Sequence, residues 1–257
     1  MRLIQVIHTF ALFLGIVFVN QGEQALSAQA TTSPNIIEQI SAKFSGGQPV
    51  QQVEISGNAS WHVGNLEDTG TVNMAASANG SSQMQLLLSS SGAKTESQTG
   101  TGSNTECSWA GTDGTFHATS ADSCLKPLLW FLPAFSLQSS FMPNSLRVSD
   151  LGFDNPDGTG SYRHLQSNLS LSGLPKSLGT KIRSDSNTDL WLDPSSFLPV
   201  GLSYSVHPDN GSATQVAIDI RYSNYREVSG VKIPFRIQRY VNGTLQLDIE
   251  VNAVQVD

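Results

Sequence analysis

Hydrophobic residues along the chain change period once, from helical to alternating, and keep the alternation almost to the last residue. In "SPNIIEQISAKF" (33–44), Ile36, Ile37, Ile40 and Phe44 fall on one side, the spacing of a helix with one buried stripe. Ser33 and Pro34 supply a cap and a first turn, and Gly46-Gly47 ends the run. From Val53 the period is two. Val53, Ile55, Ala59, Trp61 and Val63 form the first run, with Gly57 as a candidate bulge. Val72, Met74, Ala76 and Ala78 form the next, and Met84, Leu86 and Leu88 follow an Asn79-Gly80 turn. The polar stretch "SSSGAKTESQTGTGSNTE" reads as an edge strand with its turns.

Strands resume at "SLRVSDLGFD" and return through "TGSYRHLQSNLSL" after an "NPDG" turn. "SGLPKSLGTKIRSDSN" reads as a loop. Then come "TDLWLD" and "FLPVGLSYSV", whose Leu198, Val200, Leu202, Tyr204 and Val206 alternate with small or polar residues. Val216, Ile218, Ile220 and Tyr222 lead to a last hairpin: Val231, Ile233, Phe235 and Ile237, an Asn242-Gly243 turn, then Leu245, Leu247, Ile249 and Val251. Lys232, Pro234 and Arg236 take the other face, which places Pro234 at an edge or bulge where no ladder bond is donated.

One stretch breaks the alternation. "CLKPLLWFLPAFSLQSSFMP" (124–143) is apolar nearly all round through Leu125, Leu128, Leu129, Trp130, Phe131, Leu132 and Phe135. Pro127 suits the start of a short helix and Pro133 an early stop. A helix without a polar face is covered on more than one side, so this segment is either a core helix or a lid over a cavity. Strands with one greasy face exclude a parallel α/β sheet and leave a β-sandwich or one curved sheet closed over by helices. The two helical segments favour the curved sheet.

Composition narrows the function. An apolar run over 6–19 follows Arg2, and Ala28 and Ala30 form a small-x-small cleavage pattern. Residues 1–30 therefore read as a signal peptide cut after Ala30 rather than a membrane anchor, the run being shorter than the roughly 20 residues a span needs. Residues 31–257 read as one β-rich domain with no further apolar stretch long enough to span. The net charge of −7 and the lack of a Lys/Arg cluster argue against nucleic acid. The two cysteines, Cys107 and Cys124, flank a sequence that reads as a hairpin turning at Asp113-Gly114; in an exported chain they read as a disulfide, not as a metal or nucleophile pair.

Catalytic chemistry finds little footing. His62, His117, His164 and His207 show no helical zinc spacing, no G-x-S-x-G elbow occurs, and the "DNPDG" carboxylates are explained by a turn. No metal or cofactor is expected, and no enzyme activity.

The stretches "LWLDPSSFLPVGLSYSV" (190–206) and "IRYSNYREVSGVKIPFRIQRYVNGTLQLDIEVNAVQV" (220–256) resemble the LolA/LolB-like superfamily of bacterial envelope proteins. The likeness lies in an Asp-Pro strand end, a Leu-Pro return strand, a Tyr-rich strand, a Gly-Val-x-x-Pro strand and a Val-rich terminal strand. It implies a mainly β (α+β) fold: a single curved antiparallel sheet, or half-barrel, covered by an N-terminal helix and an internal helical lid. It further implies a periplasmic protein that binds or carries a lipid or a lipid-modified protein without catalysis, with envelope proteins loading or unloading it. The family's shuttle latches lid to sheet with an arginine, and the N-terminal helix here offers only Lys43. The expected cavity wall is Trp61, Met74, Leu86, Val200, Leu202, Ile218, Ile233, Phe235 and Leu247. The expected lid is Ile37, Ile40, Leu128, Leu129, Trp130 and Phe131. The alternatives are a filled-core interaction module that binds a protein through its outer face or the edge near "GAKTESQTG", and an envelope hydrolase.

Overall fold

A computed structural model describes residues 34–100, 105–126, 128–138, 145–156, 158–207 and 214–257. The expected signal peptide, Ser33 and Pro127 lie outside these residues. Helix α1 (Pro34–Ser45) opens the described chain. Six strands follow: β1 (Gln52–Val63), β2 (Leu66–Ser77), β3 (Ser82–Leu88), β4 (Gly92–Thr99), β5 (Glu106–Ala110) and β6 (Phe116–Ala118). Short helices α2 (Ala121–Cys124) and α3 (Pro133–Ser136) lead to β7 (Leu146–Asp154) and β8 (Tyr162–Leu169). Helix α4 (Lys176–Asp185) precedes β9 (Thr188–Leu192), β10 (Pro199–Val206), β11 (Val216–Val228), β12 (Val231–Val241) and β13 (Thr244–Val256).

All thirteen strands form one open antiparallel sheet in the order β6-β5-β4-β3-β2-β1-β13-β12-β11-β10-β9-β8-β7. Two meanders run outward from the centre, and the first and last strands join them, Val53 opposite Val256 and Trp61 opposite Leu247. Tight turns set the registers inside each meander. Ser229-Gly230 and Asn242-Gly243 both hold two consecutive positive φ angles, the hairpin geometry that matches strand twist.

The sheet is strongly curled. Between β4 and β12 lie four strands, and a flat sheet would hold the two roughly 24 Å apart. Yet Arg239 on β12 reaches Glu96 on β4 at 2.8 Å. Only curvature brings two inward-facing side chains so far apart in the sheet order into contact. The inner face carries the core, from Val53, Ile55 and Val72 through Leu86 to Leu190, Leu202, Ile233 and Ile249. Ile36, Ile40 and Phe44 of α1 are buried against it, and Phe44 meets Phe135 of α3 with ring centroids 6.3 Å apart.

Several local expectations need correction. The segment "GAKTESQTG" is not an edge: β4 is paired on both sides, by β3 and β5, and the edges are β6 and β7. The loop "SGLPKSLGTKIRSDSN" contains the ten-residue helix α4. None of its described residues is buried, so no full apolar stripe marked it; only Ile182 packs against the core. In the apolar segment, the helix starts at Pro133 rather than stopping there. Proline fixes the φ of a first helical turn and lacks the N–H that turn leaves unpaired. Pro234 is buried, not solvent-facing, although its missing N–H is accommodated: it pairs with Tyr225 of β11, while pairing with β13 begins only at Arg236.

Gly57 does sit at a bulge, where the β1–β13 register shifts between Ser56 and Gly57. A Cβ there would lie 2.3 Å from the Glu250 carbonyl oxygen, a collision with backbone on the one ladder that joins the two meanders. Gly57→Ala is therefore expected to lower the unfolding free energy by about 1–3 kcal/mol, read by urea denaturation. An unchanged midpoint would mean that the two strands separate freely at this point.

Candidate functional site

Strand alternation builds the site. Directly opposed residues in antiparallel strands share a face, so Trp61, Leu247, Arg239, Ile220 and Leu202 form one inward row across β1, β13, β12, β11 and β10. Arg239 is thus in phase with Val231, Ile233, Phe235 and Ile237, and it is only 7% exposed. On the opposite flank Met84 lies beside Glu96, which turns the charged face of β4 inward.

The guanidinium sits in a box. Its Nη1 donates to both carboxylate oxygens of Glu96, at 2.8 and 3.1 Å. The Trp61 ring lies 5.6 Å and the Trp130 ring 5.1 Å from its Cζ. Trp61 belongs to the sheet and Trp130 to the segment between α2 and α3, so one arginine touches floor and cover together. Cation–π contact with a tryptophan face is worth about 0.5–2 kcal/mol, more as water is excluded.

The covering segment is fastened along its length. Cys124 of α2 is disulfide-bonded to Cys107 of β5. A loop of this length stabilises the fold by about 3 kcal/mol in the chain-entropy view. Ser123 Oγ donates to the His207 carbonyl at 2.9 Å and accepts from the His207 N–H at 3.1 Å. The Tyr222 hydroxyl donates to the Trp130 carbonyl. Burial, and secondarily the neighbouring Tyr225 and Tyr204, hold the Tyr222 phenol well above its ordinary range, so it remains a neutral donor. At the far end Gln138 donates to Ser45 Oγ at 3.1 Å and accepts from the Val50 N–H at 3.3 Å, tying the segment to α1.

Between this segment and the sheet lies a cavity of about 470 Å³, within the range of small-molecule sites. Leu128, Leu129, Trp130 and Phe131 line it from the cover, and Trp61 and Ile218 from the sheet. The other expected wall residues divide. Met74, Leu86, Leu202, Ile233, Phe235 and Leu247 pack in the core and are not among the lining. Val200 falls outside the core cluster: the β9–β10 register shifts between Pro199 and Gly201, a bulge that takes it out of phase with Leu202. Ile40 is fully buried and Ile37 half-buried in the α1 contact, so α1 seals the core beside the cavity rather than the cavity itself.

Sequence reasoning missed Arg239, Glu96, Lys126, Tyr204 and Trp109, all of which line the cavity. Arg239 was within reach, since it continues the apolar phase of β12 by one more step. Glu96 carried no such signal in a strand that is polar on both faces. A second hollow of about 550 Å³ lies over β3, β2, β1 and β13, where Glu54, Asn73, Gln83 and Gln255 mix with Met74, Ala75, Ala253 and Val254. Among the described residues no cluster of three His, Cys, Asp or Glu side chains is placed to hold a metal, and no helix is long and apolar enough to cross a membrane.

No family model and no curated protein matches the sequence. Solved structures do match the fold. One is described as an outer membrane lipoprotein-sorting protein domain from Vibrio parahaemolyticus, at TM-score 0.52 and 10% identity over 87% of this chain and 91% of that one. A DUF1329 family protein from Desulfovibrio piger matches at 0.54 and 12%, covering 87% and 92%. A LolA superfamily protein from Nitrosomonas europaea matches at 0.53 and 13%, covering 88% and 94%. The architecture of this chain is that of LolA-superfamily structures, as the "LWLDPSSFLPVGLSYSV" and C-terminal stretches had suggested.

Glu96→Ala leaves Arg239 buried without its counter-charge. The expected cost in urea denaturation is about 2 kcal/mol, below the ~3–5 kcal/mol of a fully buried pair, because Glu96 is itself 40% exposed. A change of less than about 0.5 kcal/mol, the value of a surface pair, would remove the Arg239–Glu96 contact from the forces that hold the curl.

Proposed function

We propose that the protein is an exported, non-catalytic carrier that holds an acyl chain, of a lipid or of a lipid-modified protein, between its sheet and its Trp130 segment. The observation that carries this reading is the cavity itself: about 470 Å³ of space left open beside an otherwise filled core, and covered by four consecutive apolar residues. A chain that needed only stability would gain by filling it, since each buried methylene contributes about 0.8 kcal/mol. An acyl chain would gain the same amount on entry.

Three further features support the reading. The disulfide suits an oxidising compartment, which fits the bacterial periplasm and a leader ending at Ala30. A solved structure of the same fold is described as belonging to outer membrane lipoprotein sorting. The cover is a connecting segment with only short helices, and connections are where proteins usually place moving parts. Envelope proteins that deliver and collect the cargo would act on this segment.

Leu129 is half-buried and lines the cavity, so Leu129→Asp places a carboxylate in the ligand space while leaving the sheet intact. Uptake of a fluorescent fatty acid is expected to fall by at least tenfold, with the far-UV circular dichroism and thermal midpoint close to those of the unaltered protein. Equal uptake by both proteins would mean that acyl chains do not bind under the Trp130 segment. No uptake by either would favour the filled-core interaction module.

A further inference from the structure

Building on the carrier reading, we propose that the cavity takes one acyl chain and recognises an anionic head group through Arg239, so that its ligand is a single-chain acidic amphiphile. Size sets the number of chains. At about 470 Å³ the cavity lies in the lower half of the ~300–1,000 Å³ range of small-molecule sites, a size that suits one chain rather than several. A two-chain phospholipid or a triacylated lipoprotein would leave most of its apolar surface outside.

The head group is specified by what Arg239 leaves unused. A guanidinium offers five N–H donors in a planar fork. Glu96 takes only Nη1, with both of its oxygens on that single nitrogen. Nε is buried and has no hydrogen-bond partner, a condition uncommon in native proteins. Nη2 makes no hydrogen bond among the described residues either. Nε and Nη2 together form the side-on edge of the fork, the edge that receives a carboxylate or phosphate in two parallel bonds. The arginine is held by its far corner, with its recognition edge vacant.

Charge agrees with geometry. Among the described residues the lining brings the Arg239 guanidinium and the Lys126 ammonium, which also donates to the Asp185 carbonyl, together with the Glu96 carboxylate, a setting that favours an anionic head group over a cationic one. The Trp130 ring covers the guanidinium, so the head group reaches the fork as the Trp130 segment swings aside, and the chain then lies along Leu128, Leu129 and Ile218.

The test measures binding by calorimetry to delipidated full-length protein, with palmitate, hexadecyl phosphate, methyl palmitate and vesicles of dipalmitoyl phosphatidylglycerol. Palmitate and hexadecyl phosphate are expected to bind at one chain per protein, and the neutral ester at least about tenfold more weakly, from the loss of a charge-assisted pair. The ratio of the two acids tells carboxylate from phosphate preference. In the charge-neutral double variant Arg239→Leu/Glu96→Gln, acid and ester are expected to bind within about twofold of each other. If acid and ester bind the unaltered protein equally, or the two-chain lipid binds best, the proposal is overturned while acyl carriage stands. If no acyl compound binds at all, both fall. The head-group comparison on the unaltered protein decides the matter even if the double variant does not fold.

Discussion

Strands β6 and β7 are consecutive in the chain but lie at opposite edges of a thirteen-stranded sheet, and that constraint shapes everything else. The connection between them has to cross a face of the sheet. Its described part crosses the inner face, where Tyr222 holds the Trp130 carbonyl and Gln138 reaches Val50. A segment laid across a concave apolar surface is apolar on nearly every side, which is why "LLWFLPAF" has no polar face. The same crossing makes the curl worthwhile, because a curled sheet can be covered by a short connection and a flat one cannot. The cavity is the space where connection and sheet do not quite meet.

Two kinds of force act across that space. Over most of the inner face the contact is hydrophobic and non-directional, through Ile40, Phe44, Phe135 and the strand residues beneath them. At the cavity it becomes directional: Arg239 binds Glu96 across the concavity and lies against Trp61 below and Trp130 above. Packed apolar contact and the Gln138 hydrogen bonds hold the α1 end of the cover, while the tryptophan–arginine contact can be exchanged for an equivalent one. In the proposed carrier, a ligand head group would offer Arg239 a new partner as Trp130 leaves. In that carrier the segment would open at the cavity, and the disulfide at Cys124 would hold its α2 end in place.

The strands were legible because each has one buried face: Val231, Ile233, Phe235 and Ile237 are each at most 8% exposed, as their alternation required. Turn chemistry at Asn79-Gly80 and Asn242-Gly243 and the bulge at Gly57 were legible for the same local reason. The order of strands was not, because the pairing of β1 with β13 is set by the closing of the whole sheet and leaves no mark in either strand. The polar strand β4 looked like an edge since nothing in "GAKTESQTG" reports that β5 and β6 continue beyond it. Of the residues expected in the lid, Leu128, Leu129, Trp130 and Phe131 line the cavity, and their signal in the sequence was an all-round apolar segment that demands cover. Met74, Leu86 and Leu247 show the limit of that logic: a packed residue and a cavity-lining residue carry the same pattern, and only the distance across the curl separates them.

The most direct measurement is mass spectrometry of an organic extract of the protein, isolated without detergent. A carrier with a closed cover retains its cargo, so the extract is predicted to contain an acyl compound at close to one chain per protein, with an acidic head. An extract without acyl material, from protein that also fails to take up added fatty acid, would contradict carriage and leave the hollow beneath Trp130 as a packing defect of an interaction module.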